Sequence, residues 1–123
     1  MAWNFSSGRP VYLQIAERIT RSVLSGEYTA GEQLPTVRQL ALEAAVNPNT
    51  VQHAFSELEN MGIIISKGTS GRFVTEDETI VELCRKQMAE QLVNDFVENI
   101  KHLSIDTEEA ISMIKLTGVE PLT

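Results

Sequence analysis

Cysteine, aromatic residues and long apolar runs are all scarce in this chain, and each shortage closes off a class of protein. The one cysteine, Cys84, excludes an intrachain disulfide and a cysteine-based zinc site within one chain. A reducing compartment is expected, and with it a cytoplasmic location. Aromatic residues make up 6% of the sequence. No stretch approaches the ~18 uninterrupted apolar residues of a membrane span. The opening residues lack a charged start followed by an apolar run, so no secretion signal is expected. His53 and His102 stand far apart in the sequence and give no metal-ligand spacing; neither a metal nor a cofactor is expected. No nucleophile, base and orienting group fall at a recognisable spacing, and no phosphate loop is present, so an enzyme is not expected.

What is there fits one domain, or a small domain with an appendage: 123 residues, 42% hydrophobic and 22% charged. The net charge of −7 argues against nucleic acid when taken whole. It is unevenly spread. Residues 1–74 hold six bases and six acids, whereas residues 75–123 hold four bases and eleven acids. The chain therefore reads as a neutral module, residues 1–75, followed by an acidic one, residues 76–123.

In the neutral module Pro10 suits a first helical position, and Tyr12, Ile15, Ile19 and Val23 follow at helical spacing. They predict a helix over about residues 10–25, ended by Gly26. A loop follows, with Ala30-Gly31 as its turn. Thr36 and Gln39 form a capping box at the start of a helix of about eight or nine residues. Asn47 as N-cap and Pro48 at the first position start another, whose buried face is Val51, Ala54, Phe55 and Leu58. Two helices across a break of about three residues have the spacing of a helix-turn-helix. The run Ile63 to Ser66, a turn with Gly68 and Gly71, and Arg72-Phe73-Val74 then predict a β-hairpin. The fold class is mostly α with a small β-hairpin, a winged helix-turn-helix.

With Val51 set at the core, Asn49, Gln52, His53 and Ser56 fall on the outward side of the second helix of the pair, with Thr50 on a flank. That face is polar and largely uncharged. Asn and Gln can pair bidentately with adenine in the major groove, and Thr can meet a thymine methyl. An alternative is a solvated face, or a winged helix that binds another protein and no DNA.

Five segments together resemble the GntR family of bacterial transcription regulators. They are Pro10 through Ile15, Gly31 through Ala41, Val46 through Val51, Leu58 through Ile63, and Gly71 through Val74. The resemblance implies that Arg38 contacts DNA from the short helix. It places Asn47, Pro48, Asn49, Thr50 and Gln52 on the recognition segment, and Lys67 and Gly68 at a wing tip entering the minor groove. Adding the outward His53, the capping Thr36 and the wing's Thr69 completes the candidate contacts with double-stranded DNA. Arg9 and Arg72 are further candidates for phosphate, as are the helix N-termini. The chain departs from the family at Pro48, where Arg is common, at Ala45 and Thr69, where Gly is common, and at Ala30, where Pro is usual.

Thr75-x-x-Glu78 reads as the capping box of a long helix over about residues 77–103, and Asp106-x-x-Glu109 as that of a last helix over about 107–117. A short two-helix tail resembles the YtrA subfamily, which implies a homodimer made by the tail and an ABC-transporter operon as target; such a dimer predicts a palindromic operator, and repression is the expected action. The long helix's apolar row drifts, because four residues advance about 400°. Its first part (Ile80, Cys84, Met88) is expected to pack near the neutral module. The last part (Leu92, Phe96, Ile100, Leu103) is expected to face a partner subunit. No membrane partner is expected, and no small-molecule effector is visible in the sequence.

Overall fold

The first helix, α1 (Val11–Leu24), is preceded by Pro10 as its N-cap, one residue short of the first helical turn that the sequence suggested. In this computed structural model, which describes residues 3–118, the remaining elements are α2 (Val37–Ala44), α3 (Pro48–Met61), β1 (Ile64–Ser66), β2 (Arg72–Val74), α4 (Glu78–His102) and α5 (Thr107–Leu116). The chain divides into two units, Met1–Arg85 and Lys86–Thr123.

The first unit is built around α3. Val51, Ala54, Phe55 and Leu58 are buried on one side of it, against Ile15 and Ile19 of α1 and Leu40 of α2. Both helix starts follow local chemistry. The hydroxyl of Thr36 accepts the N–H of Gln39 while the Gln39 side chain accepts that of Thr36, the reciprocal box the sequence called for. The break between α2 and α3 turns on Ala45, which is left-handed at φ 56, and the N–H of Val46 returns to the carbonyl of Ala41 at 3.0 Å. At the end of α3 the same turn falls on Gly62, at φ 81, with Ile63 N–H on the Leu58 carbonyl at 3.1 Å. Ile63 thus belongs to the helix cap, and the hairpin starts one residue later.

β1 and β2 pair antiparallel, with Ile64 opposite Val74, Ile65 opposite Phe73 and Ser66 opposite Arg72. The loop between α1 and α2 adds a third, minimal strand that the periodicity did not reveal. Gln33 bridges Phe73, and the N–H of Leu34 reaches the Arg72 carbonyl at 2.8 Å. The loop's turn falls at Ala30-Gly31 as expected, with Glu32 N–H on the Thr29 carbonyl at 3.0 Å.

α4 starts later than its expected box. Asp77 caps it, accepting the N–H of Thr79 at 3.0 Å, and Thr75 makes a preceding turn by accepting the N–H of Asp77. Thr75 is drawn out of the capping role because it is buried beside the hairpin, its N–H held by the Ile63 carbonyl. Ile80, Val81 and Cys84, in the first turns of α4, join the core of the first unit.

The second unit holds the rest of α4 and α5. Asp106 caps α5 as the sequence indicated, accepting the N–H of Glu109 at 2.9 Å. Of the unit's described residues Ala110 alone is buried. Leu92, Val93, Phe96, Ile100, Ile111 and Ile114 line an apolar groove of about 510 Å³. Two helices by themselves leave most of this surface in water, against the usual direction of apolar burial. No helix among the described residues is long and apolar enough to cross a membrane.

Candidate nucleic-acid interface

Three segments of the first unit carry the candidate contacts: the start of α2, the outward face of α3 and the turn between β1 and β2. On α3, Asn49, Gln52 and His53 are exposed, Thr50 and Ser56 half-buried. Burial of Val51, Ala54, Phe55 and Leu58 fixes the rotation of the helix, so the polar face is turned outward as a consequence of core packing. Ser56 donates to the Gln52 carbonyl within the helix, at 3.1 Å. Exposed amide groups at Asn49 and Gln52 offer a donor and an acceptor each, the pair that adenine's edge requires.

The start of α3 has little left for phosphate. Pro48 carries no N–H. Asn49 N–H goes to the Asn47 side-chain oxygen at 2.8 Å, and Thr50 N–H to the Asn47 carbonyl at 2.9 Å. Asn47 therefore caps its helix, which settles the use of its oxygen, and its NH₂ is what remains for another partner. The start of α2 differs. Thr36 holds the N–H of Gln39 and of Leu40, which leaves the N–H groups of Val37 and Arg38 outside the helical ladder. Arg38 is exposed there and forms no ion pair among the described residues. A phosphate group at this helix start would meet donors and positive charge together.

Two of the expected phosphate contacts are committed elsewhere. Arg72 donates from Nε to Glu59 at 2.7 Å and lies over the Phe55 ring at 4.9 Å. Arg9 pairs with Glu17. Both partners are carboxylates of the neutral module. At the wing, Lys67, Gly68 and Thr69 are all exposed. A short 3-10 turn, Gly68–Ser70, opens on Gly68 at φ 59, where a glycine is favoured. The Lys67 ammonium sits 4.7 Å from the centre of the Phe73 ring.

Tyr12 is the neighbour that sequence reasoning missed. Its ring stacks on the imidazole of His53, with centroids 3.5 Å apart and planes 9° apart. Tyr12 reads in the sequence as a core position of α1; nothing in a spacing of 41 residues announces a partner on α3. The stack covers one face of the imidazole and holds its edge in a fixed plane.

Outside this surface, burial pushes the Cys84 thiol above its ordinary value, which disfavours the reactive thiolate. Tyr28 is likewise raised, by burial first and then by Glu43, Glu27 and Glu32. No group of three or more His, Cys, Asp or Glu among the described residues is arranged to hold a metal.

Comparison with known proteins places this geometry. Residues 11–74 match the family described as bacterial regulatory proteins, gntR family. The HTH-type transcriptional regulator YhcF of Bacillus subtilis (strain 168) is 36% identical over 111 residues, 90% of this chain and 92% of that protein. The HTH-type transcriptional repressor YtrA of the same organism is 33% identical over 111 residues, 89% of this chain and 85% of that protein. A solved GntR family transcriptional regulator from Listeria monocytogenes superposes with a TM-score of 0.84 at 36% identity, covering 94% of this chain and all of that one. These relatives are regulators of transcription, and their likeness extends through both units.

Proposed function

We propose a function that proceeds from one fact: this chain belongs to the gntR family of bacterial regulatory proteins. The reading is a cytoplasmic, dimeric repressor that recognises a palindromic operator and performs no catalysis. Residues 1–75 bind DNA and residues 76–123 make the dimer. The observation that carries it is the exposed, uncharged polar face of α3, presented after a capped α2 with Arg38 at its start and beside a wing with Lys67 at its tip.

Asn49, Thr50, Gln52 and His53 read bases in the major groove, and Asn47 and Pro48 set where that helix begins. Thr36 fixes the start of α2, so that Arg38 and the adjacent N–H groups hold a phosphate. Lys67, Gly68 and Thr69 approach the neighbouring minor groove. Leu92, Phe96 and Ile100 meet a second copy across the apolar groove, joined by the exposed Leu103. Two-fold pairing then sets two recognition helices about one DNA turn apart. The name of the YtrA relative supports repression, and the resemblance to its subfamily supports an ABC-transporter operon as the target.

Selection from a random duplex library with the purified chain, followed by binding to the enriched sequence at two salt concentrations, tests this. A palindromic sequence bound with salt-sensitive affinity is the expected result. No enrichment would overturn it in favour of a winged helix that binds protein.

A further inference from the structure

We propose that Gln33 is a positioning residue that sets the shape of the wing tip for DNA. The inference rests on the reading that the tip touches DNA. A hairpin of two three-residue strands is marginal in isolation, and its tip needs an outside anchor. Gln33 supplies one from the loop between α1 and α2. Its side-chain Nε2 donates to the Ser70 carbonyl at 2.8 Å, 37 residues away in sequence. Its backbone bridges Phe73, so a single residue grips both the tip and the strand leaving it.

Gly71 fits this grip. A Cβ there would lie 2.6 Å from the Gln33 amide nitrogen, and the backbone stands at φ +112. The space a side chain would need is the space the amide crosses. Inside the tip, Lys67 N–H bonds the Gly71 carbonyl at 2.9 Å and Ser70 N–H the Lys67 carbonyl at 3.1 Å. Lys67 rests on Phe73, the strand residue that Gln33 bridges. The tether therefore fixes the backbone that follows Lys67, at Ser70 and again at Phe73. Ordering the turn during folding removes that cost from binding.

Gln33→Met keeps the length, stays neutral and cannot donate. Its test is amide hydrogen exchange in the unbound chain, together with a double-mutant cycle against Lys67→Ala on a duplex selected by the unmodified chain. The expected result is faster exchange at Ser70, a loss of affinity of about 3–10-fold, and no further loss when Gln33→Met is added to Lys67→Ala. Gln33→Lys, which retains a donor, restores slow exchange at Ser70. Unchanged exchange overturns the tether, as does intact affinity in Gln33→Met or a loss that persists in full on the Lys67→Ala background. Lys67→Ala binding as well as the unmodified chain overturns the wing reading itself, and the tether's role in DNA binding with it.

Discussion

Two amides on or beside α3, those of Asn47 and Gln52, have the same chemistry and opposite duties. The oxygen of Asn47 is spent inside the chain, on the N–H of Asn49. The side chain of Gln52 is exposed one turn along, and its bidentate fit to adenine belongs to DNA or to nothing. Gln52→Ala is expected to lose ~1–3 kcal/mol at one base pair and little on random duplex. Titrating single-base operator variants checks this, and equal losses on every sequence would refute the role. Ala45 illustrates a residue working against its backbone. At φ 56 a side chain costs about 1 kcal/mol relative to glycine. Ala45→Gly is expected to raise the urea midpoint by roughly that much stability, offset in part by glycine's freedom in the unfolded chain. A lowered midpoint would show that the turn is not strained.

At the scale of elements, the sequence resolved what short-range chemistry decides. Thr36, Asn47 and Asp106 mark helix starts because a cap acts over two or three residues. The bounds of β2 were legible too, from the glycine turn that precedes Arg72-Phe73-Val74. Contacts between elements were not. Arg72 on Glu59, His53 on Tyr12 and Gln33 on Ser70 join segments 13 to 41 residues apart, and no periodicity encodes them. Thr75 was misread because its burial depends on the hairpin above it. These pairings alter an expectation. With Arg9 and Arg72 engaged, Arg38 and Lys67 are the bases left to this face. The slope of log affinity against log salt is then about −4 for a dimer on its operator. A slope near twice that value, measured by anisotropy, would mean that the internal ion pairs open on binding.

For the whole molecule, charge and apolar surface are divided between the two units. The second unit carries −4 of the net −7 and also the apolar groove. With Ala110 alone buried among its described residues, that unit has too little core of its own. Phe96 is 41% exposed and lines the groove. Phe96→Glu would place a carboxylate in apolar surroundings, so it is expected to sediment as a monomer at micromolar concentration. Operator affinity should fall with it. A dimer that survives this substitution would move the interface elsewhere. The apolar groove was legible in part: Leu92, Phe96 and Ile100 line it, whereas Val93, Ile111 and Ile114 enter through the pairing of α4 with α5. Leu103, one residue past the helix end, is 69% exposed.

Cys84 gives this division a clock. It is the chain's sole thiol, it is buried in the first unit's core, and burial disfavours its thiolate. A thiol reagent added to the native protein therefore waits for the core to open, and the labelling rate reports the frequency of that opening. Binding of DNA to the closed form slows the clock by mass action in proportion to occupancy. Labelling as fast as that of the unfolded chain would mean that the α4 segment holding Cys84 detaches while the rest stays folded.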